Sequence, residues 1–416
     1  MFRLQIGTLI AATSLVQLAN GFFTTFVSLR VAVADFGPEL AGLVLSAYFA
    51  GFTIGAVWCP SVIQRIGHIR AYAAFAGMVV AATAAMPLLV GPYAWMLARA
   101  AVGVGCVGLF ITTESWLNAK ADRQSRGRVF SVYMVGTFLA LAVGQLLVGR
   151  LPLESAGPFN VIVALFAIAL AMVATTHADP PVVTAEAKLP YGDLSRAAPV
   201  AVVGCVVAGM VGSAFYALMP AWMQGEGVSH RTIAVFMLVA VLGGLAFQVP
   251  VGRLSDRLDR RHVLAGLSFG FAVAAVALVL APRTLGGTLP VALVLGGFMS
   301  TLYPVCVAHA LDRMPTDRVV AVSGRLIFVS GLGSAVGPLL GSAIMGRFDI
   351  DGLLYLMAAA TVLLAVVALA RTRVRAAPEH SDRPFDILAP QAVQIAHDPQ
   401  GAADAASAGE ARPAPA

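Results

Sequence analysis

The chain has 416 residues, of which 59% are hydrophobic and only 12% charged, with a mean hydropathy of +0.85. Soluble domains carry about 25% charged residues, so a soluble core cannot hide this much apolar surface and lipid has to be the solvent. The net charge of +6 would suit nucleic acid, but the basic residues sit where a membrane protein places them, so no nucleic-acid partner is expected.

A transmembrane helix needs about 20 apolar residues, and twelve runs qualify. The first six cover roughly 5–29, 39–63, 70–90, 93–117, 128–149 and 158–176. The second six cover roughly 200–222, 231–254, 262–281, 288–310, 320–346 and 351–371. The first run is too long for a cleaved leader, lacks a small-residue cleavage site and carries Gln17 and Asn20 inside it. The spans divide the chain into a six-helix half (1–176), a polar linker rich in Pro, Ala and Thr (177–198) and a second six-helix half (199–375). The tail (376–416) has a composition that cannot bury a core and is expected to be disordered.

Orientation follows from the Lys and Arg. With the N-terminus inside, Arg30, Arg150, Arg231, Arg283 and Arg347 lie outside and Arg99 lies within a span. The other 21 of the 27 basic residues fall inside or at inward-facing helix ends. Both termini are therefore expected in the cytoplasm. The four cysteines, Cys59, Cys106, Cys205 and Cys306, lie in or beside apolar runs without metal-like spacing, so neither a disulfide framework nor a metal site is expected. No phosphate loop of the form G-x-x-x-x-G-K-S/T occurs, which excludes direct ATP drive.

Two charged turns half a chain apart mark an internal repeat. Gly252 to Arg261 reads GRLSDRLDRR, and a degenerate twin from Pro60 to Arg70 lies 192 residues earlier. Gly144-Gln145 in the fifth run matches Gly337-Pro338 in the eleventh at an offset of 193, and small residues at that spacing let helices approach closely.

These features resemble the major facilitator superfamily over about residues 1–375. GRLSDRLDRR is similar to that family's G-x-L-x-D-R-x-G-R-R loop, with Asp259 where the family prefers glycine. In the first half only Arg65, Gly67 and Arg70 remain, with Gln64 replacing the acidic residue. Arg99-Ala-Ala-Val-Gly103-Val-Gly105 resembles the fourth-helix motif R-x-x-x-G-x-G. TTESWLNAKADR, GGLAFQVPVGRLSDRLDRR and YPVCVAHALDR look most like the YcaD-like branch, which carries no substrate with it. The resemblance implies an all-α membrane fold of two pseudo-symmetric six-helix bundles, working as a monomer in the bacterial cytoplasmic (inner) membrane. It implies a secondary transporter of a small organic solute, needing no cofactor and sharing its cavity with protons. It also implies a gate in which Asp256, flanked by Gly252 and Arg257, meets Arg128 at the start of the fifth helix.

Ionisable residues inside spans are costly, about 2.5–3.5 kcal/mol on insertion scales, and form the shortlist for proton coupling. Arg99 has to pair with a carboxylate, helix carbonyls or an anionic substrate. The resemblance associates its position with coupling. Glu114 lies 15 residues further on the same helix, about 22 Å along the axis and about 60° around it. Both can therefore face one cavity, and a desolvated carboxylic acid can take and release protons. Glu114 can equally be an interfacial residue holding the helix end near Asn118 and Lys120. His309 shares a helix face with Asp312, its expected partner. Gln17, Asn20, Trp116, Gln145, Tyr216, Gln248 and Tyr303 are candidates for the substrate cavity, although a buried amide often only joins neighbouring helices. Export is the expected direction. Gln145 stands where exporters of the family carry proline, which keeps uptake of a metabolite as the alternative. A membrane sensor, a membrane enzyme and a channel fit less well: no ordered signalling domain, His or Asp cluster, or repeated filter is visible in the sequence.

Overall fold

The computed structural model describes residues 2–34, 36–121, 125–175, 191–314 and 319–374, all in helices and short turns. The first bundle contains α1 (Phe2–Val33), α2 (Pro38–Ile66), α3 (His68–Ala85), α4 (Pro92–Lys120), α5 (Arg126–Gln145) and α6 (Gly157–Ala174). The second contains α8 (Pro199–Gly225), α9 (His230–Arg257), α10 (Arg260–Leu280), α11 (Leu285–Leu311), α12 (Val319–Arg347) and α13 (Gly352–Val374). Among the described residues these twelve helices are long and apolar enough to cross a membrane. Each begins and ends within a few residues of its hydrophobic run, because the helix extends only until its polar end groups can be satisfied. Proline opens α2, α4 and α8, where its missing N–H costs nothing. Ser229, Asp259 and Thr284 cap α9, α10 and α11 through their side-chain oxygens.

The expected linker differs in one respect. Tyr191–Ala197 forms a short helix, α7, and Leu194 on it is buried. The rest of that linker, from 177 to 190, and the tail from 376 lie outside the described residues.

In lipid, helices gain nothing from hiding apolar surface from each other, so close packing has to hold them together. The chain meets that need with glycines placed at equal crossings in both halves. Gly51 and Gly103 let α2 and α4 touch backbone to backbone, at Ala100 and Tyr48 respectively. Gly243 and Gly296 do the same for α9 and α11, at Leu293 and Ala240. The second pair lies 192 and 193 residues beyond the first, so the repeat seen in the charged turns also fixes the helix crossings.

The bundles meet along α2 with α12, α5 with α9 and α1 with α8. On the face away from the termini, Ser342 donates to the Pro38 carbonyl, Gly346 abuts the Pro38 ring and Gly149 packs on His230. Arg347 also reaches Glu39 there at 3.2 Å, but this pair is largely exposed and worth at most about 1 kcal/mol. The bundles are thus joined at the far face by backbone-close packing.

Candidate functional site

A cavity of about 160 Å³ lies where α2 of the first bundle faces α8, α11 and α12 of the second. A single water needs about 10–15 Å³ on the same measure, so the space holds roughly ten waters or a solute of that size. From α2 come Tyr48, Phe49, Phe52 and Thr53. Ser213 and Tyr216 on α8, Ser300 and Tyr303 on α11, and Ser330 and Ser334 on α12 supply hydroxyls from the other side. None of the described lining residues is Asp, Glu, Lys, Arg or His.

Of the seven residues expected to line a cavity, Tyr216 and Tyr303 do so. The others are buried elsewhere, and their contacts explain why. Gln145 accepts from Thr25 at 2.6 Å and donates to the Gly21 carbonyl at 3.1 Å, so it ties α5 to α1 inside one bundle. Gln248 donates to the Ser300 carbonyl at 3.4 Å and ties α9 to α11. Asn20 accepts from the Tyr48 hydroxyl at 3.2 Å, one layer behind the wall, and Gln17 is buried a turn away on α1. Trp116 is fully buried against His68, with ring centres 5.9 Å apart.

The charged candidates also lie behind the wall. Arg99 is 0% exposed, and its guanidinium carbon sits 4.5 Å from the centre of the Tyr48 ring and 5.2 Å from that of Phe23. Its three side-chain nitrogens have no hydrogen-bond partner among the described residues, so two aromatic faces are its solvation. Glu114, 2% exposed, accepts from the Tyr133 hydroxyl at 3.0 Å between α4 and α5. Arg99 and Glu114 therefore share a helix without sharing the cavity wall. Asp312 is held by Arg260 at 2.7 Å rather than by His309, because the turn preceding α10 brings the guanidinium under the end of α11.

The charged turns lie together on the termini face. Gly252 is buried in α9, while Arg65, Arg70, Arg128 and Arg257 are exposed. Asp256 meets Arg260 of its own bundle at 3.5 Å, and no ion pair joins it to Arg128 among the described residues. The twins also differ in backbone. Gly67 takes φ +80° between α2 and α3, a conformation that favours glycine. Its repeat counterpart Asp259 has φ −56°, caps α10 through the Arg261 N–H at 2.9 Å and clamps the Arg261 side chain at 2.7 Å. Arg261 in turn donates to the Arg371 carbonyl at 2.9 Å, which anchors α13. The departure from the family's glycine thus serves as a cap.

Asp259 gives a test by pH. Burial alone would raise its carboxyl, but the bonds from Arg261 outweigh burial and hold it below its ordinary value of 3.8. A depressed folded-state pKa adds stability that is present above the unfolded value and lost as pH falls through the folded one. Asp259→Asn is expected to lower the thermal midpoint at pH 7, and the gap from the parent protein should close below about pH 4. A gap independent of pH would show that the charge contributes nothing.

Tyr48, Phe49, Phe52 and Thr53 were missed in the sequence, as were the serines. The available signal was faint: aromatic residues spaced to share one face of α2, and Ser330 with Ser334 one turn apart on α12.

An uncharged central cavity between two pseudo-symmetric six-helix bundles, closed over at one face, is the architecture of a membrane transporter. The family profile of the Major Facilitator Superfamily matches residues 9–281 and 202–400, and the chain belongs to that family. It is 31% identical over 372 residues to the uncharacterized MFS-type transporter YcaD of Shigella flexneri, covering 87% of this chain and 94% of that one. YcaD of Escherichia coli O139:H28 is equally similar, at 31% over the same span. Among solved structures, a variant of the nucleoside transporter NupG superposes with a TM-score of 0.76 at 14% identity, covering 89% of this chain and 99% of that one. A bacterial homolog of the human lysosomal transporter Spinster, inward-facing and unoccupied, gives 0.70 at 17% identity, covering 89% and 95%. These two likenesses establish the fold.

Proposed function

We propose that this protein is a proton-coupled secondary transporter that exports a small organic solute across the bacterial cytoplasmic membrane by alternating access, as a solute–proton antiporter. The observation that carries the reading is the cavity walled by both bundles, with the bundles packed together at the far face. The termini face is then the cytoplasmic one, in keeping with its exposed Arg65, Arg70, Arg128 and Arg257. A gate on that face would pair Asp256 with Arg128. Absence of coupling between them in a double-mutant cycle of transport rate would remove that gate.

Uptake in symport with protons is the second reading. It is favoured by Gln145, which bonds α5 to α1 where exporters of the family carry proline.

Solid-supported-membrane recordings of proteoliposomes, jumped with a panel of uncharged metabolites, test both readings. Antiport of an uncharged solute moves protons out of the liposome as the solute enters, and symport moves them in. The sign of the current therefore separates export from uptake. Solute entry without any proton movement would overturn the coupling, and a lack of both across the panel would overturn transport of this solute class.

A further inference from the structure

The cavity wall also carries information about the cargo. We propose that it binds a small uncharged solute with a flat apolar body and at least two hydrogen-bonding groups, and that it rejects ions of either sign. This rests on the transport reading above and specifies its substrate class.

Three observations support it. First, the wall contains no Asp, Glu, Lys, Arg or His among its described residues, so an ion entering it would lose water and gain no counter-charge within the wall. Second, the buried cation Arg99 lies behind the Tyr48 ring of the wall, whose centre is 4.5 Å from its guanidinium carbon. That cation's field opposes a positively charged solute; it attracts a negatively charged one, but the intervening ring denies that solute the guanidinium hydrogen bonds that would replace its lost water. Third, the polar groups of the wall fall into two kinds. The hydroxyls of Thr53, Ser213 and Ser334 donate to their own helix carbonyls at 2.8–3.0 Å. Those of Tyr216 and Ser300 lie beside each other, and that of Tyr303 is buried with no partner among the described residues. Native proteins leave few buried hydroxyls like that of Tyr303 unpaired, and with the Tyr216 and Ser300 hydroxyls on the same cavity it suits a ligand that bonds to them. Phe49 and Phe52 provide the surface for a flat body from the other bundle.

The volume admits a solute of roughly ten heavy atoms. A matched series on one skeleton tests the proposal: tyrosol, which is uncharged, tyramine, a cation, and 4-hydroxyphenylacetate, an anion. Binding to the purified full chain in nanodiscs would be measured by calorimetry and by thermal midpoint, and movement by flux into proteoliposomes. Tyrosol is expected to bind at least about tenfold more tightly than either charged member. Tyr216→Phe and Tyr303→Phe should each weaken it by about tenfold, the worth of one hydrogen bond. These variants keep the ring, and a monodisperse elution profile would verify that they fold. Tighter binding of either charged member, no binding of tyrosol, or undiminished tyrosol binding by both Phe variants would overturn the assignment. Tyrosol that binds but never crosses would support the cavity chemistry and remove the transport reading. A charged member that crosses would support transport and remove the proposed substrate class.

Discussion

Gly296→Val is expected to prevent the second bundle from forming. At Gly296 the backbone of α11 touches the Ala240 carbonyl of α9, so closely that any Cβ would overlap the oxygen. The neighbour is backbone, which cannot rotate away as a side chain would, so the helices have to separate along the whole crossing. Overpacking a tight core costs about 3 kcal/mol at the upper end of the usual range, and helix packing in lipid has no hydrophobic term to compensate. The purified variant should lose most of its monodisperse fraction, and any folded remainder should melt well below the parent. Gly103→Val should do the same to the first bundle, because Gly103 meets the Tyr48 carbonyl at the equivalent crossing. Gly266→Val is the control: nothing lies within 4 Å of the position its Cβ would occupy. Equal behaviour of Gly296→Val and Gly266→Val would show that the α9–α11 crossing is not as described.

These glycines also show why the fold was legible. Hydrophobic runs report span length directly, and lipid leaves helices as the available solution for a chain of this kind. The offset found in the charged turns and at Gly144 and Gly337 recurs at Gly51, Gly103, Gly243 and Gly296, of which only Gly103 was singled out in the sequence, as part of the fourth-helix motif. The site was far less legible. Tyr216 and Tyr303 were found because an aromatic hydroxyl near a proline is conspicuous in an apolar helix. Ser300 and Ser334 look alike in sequence, yet the Ser334 hydroxyl bonds its own helix and that of Ser300 lies beside Tyr216 of another helix. Arg99 drew attention because its charge is costly in a span, but helix periodicity gives only the side of α4 it occupies. It does not reveal that the ring of Tyr48, from another helix, separates it from the cavity. Asp259 was read as a departure from the family's turn, and its role as a helix cap emerges only once the backbone of the turn is known.

Glu114→Gln is expected to abolish proton-driven accumulation while leaving solute exchange intact. Glu114 is buried in the first bundle, away from the groups that line the cavity, so replacing it removes no contact with the cargo. The amide keeps the shape of the acid, and its oxygen can still accept from the Tyr133 hydroxyl, now at 3.0 Å, so α4 and α5 should stay joined. What the amide lacks is a proton to release. In proteoliposomes without a gradient, counterflow of labelled solute should proceed at near the parent rate. With an imposed pH gradient, accumulation should fall to the level of liposomes without protein. Tyr133→Phe provides the contrast: the carboxyl remains able to titrate but loses a hydrogen bond worth about 1 kcal/mol. That variant should keep accumulation and shift its pH dependence. Loss of counterflow and accumulation together in Glu114→Gln would mean that the residue holds the bundle together and carries no proton. Unchanged accumulation would place the proton elsewhere, with the Arg260–Asp312 pair at the end of α11 the next site to examine, since its carboxylate is nearly as buried and is bound at 2.7 Å.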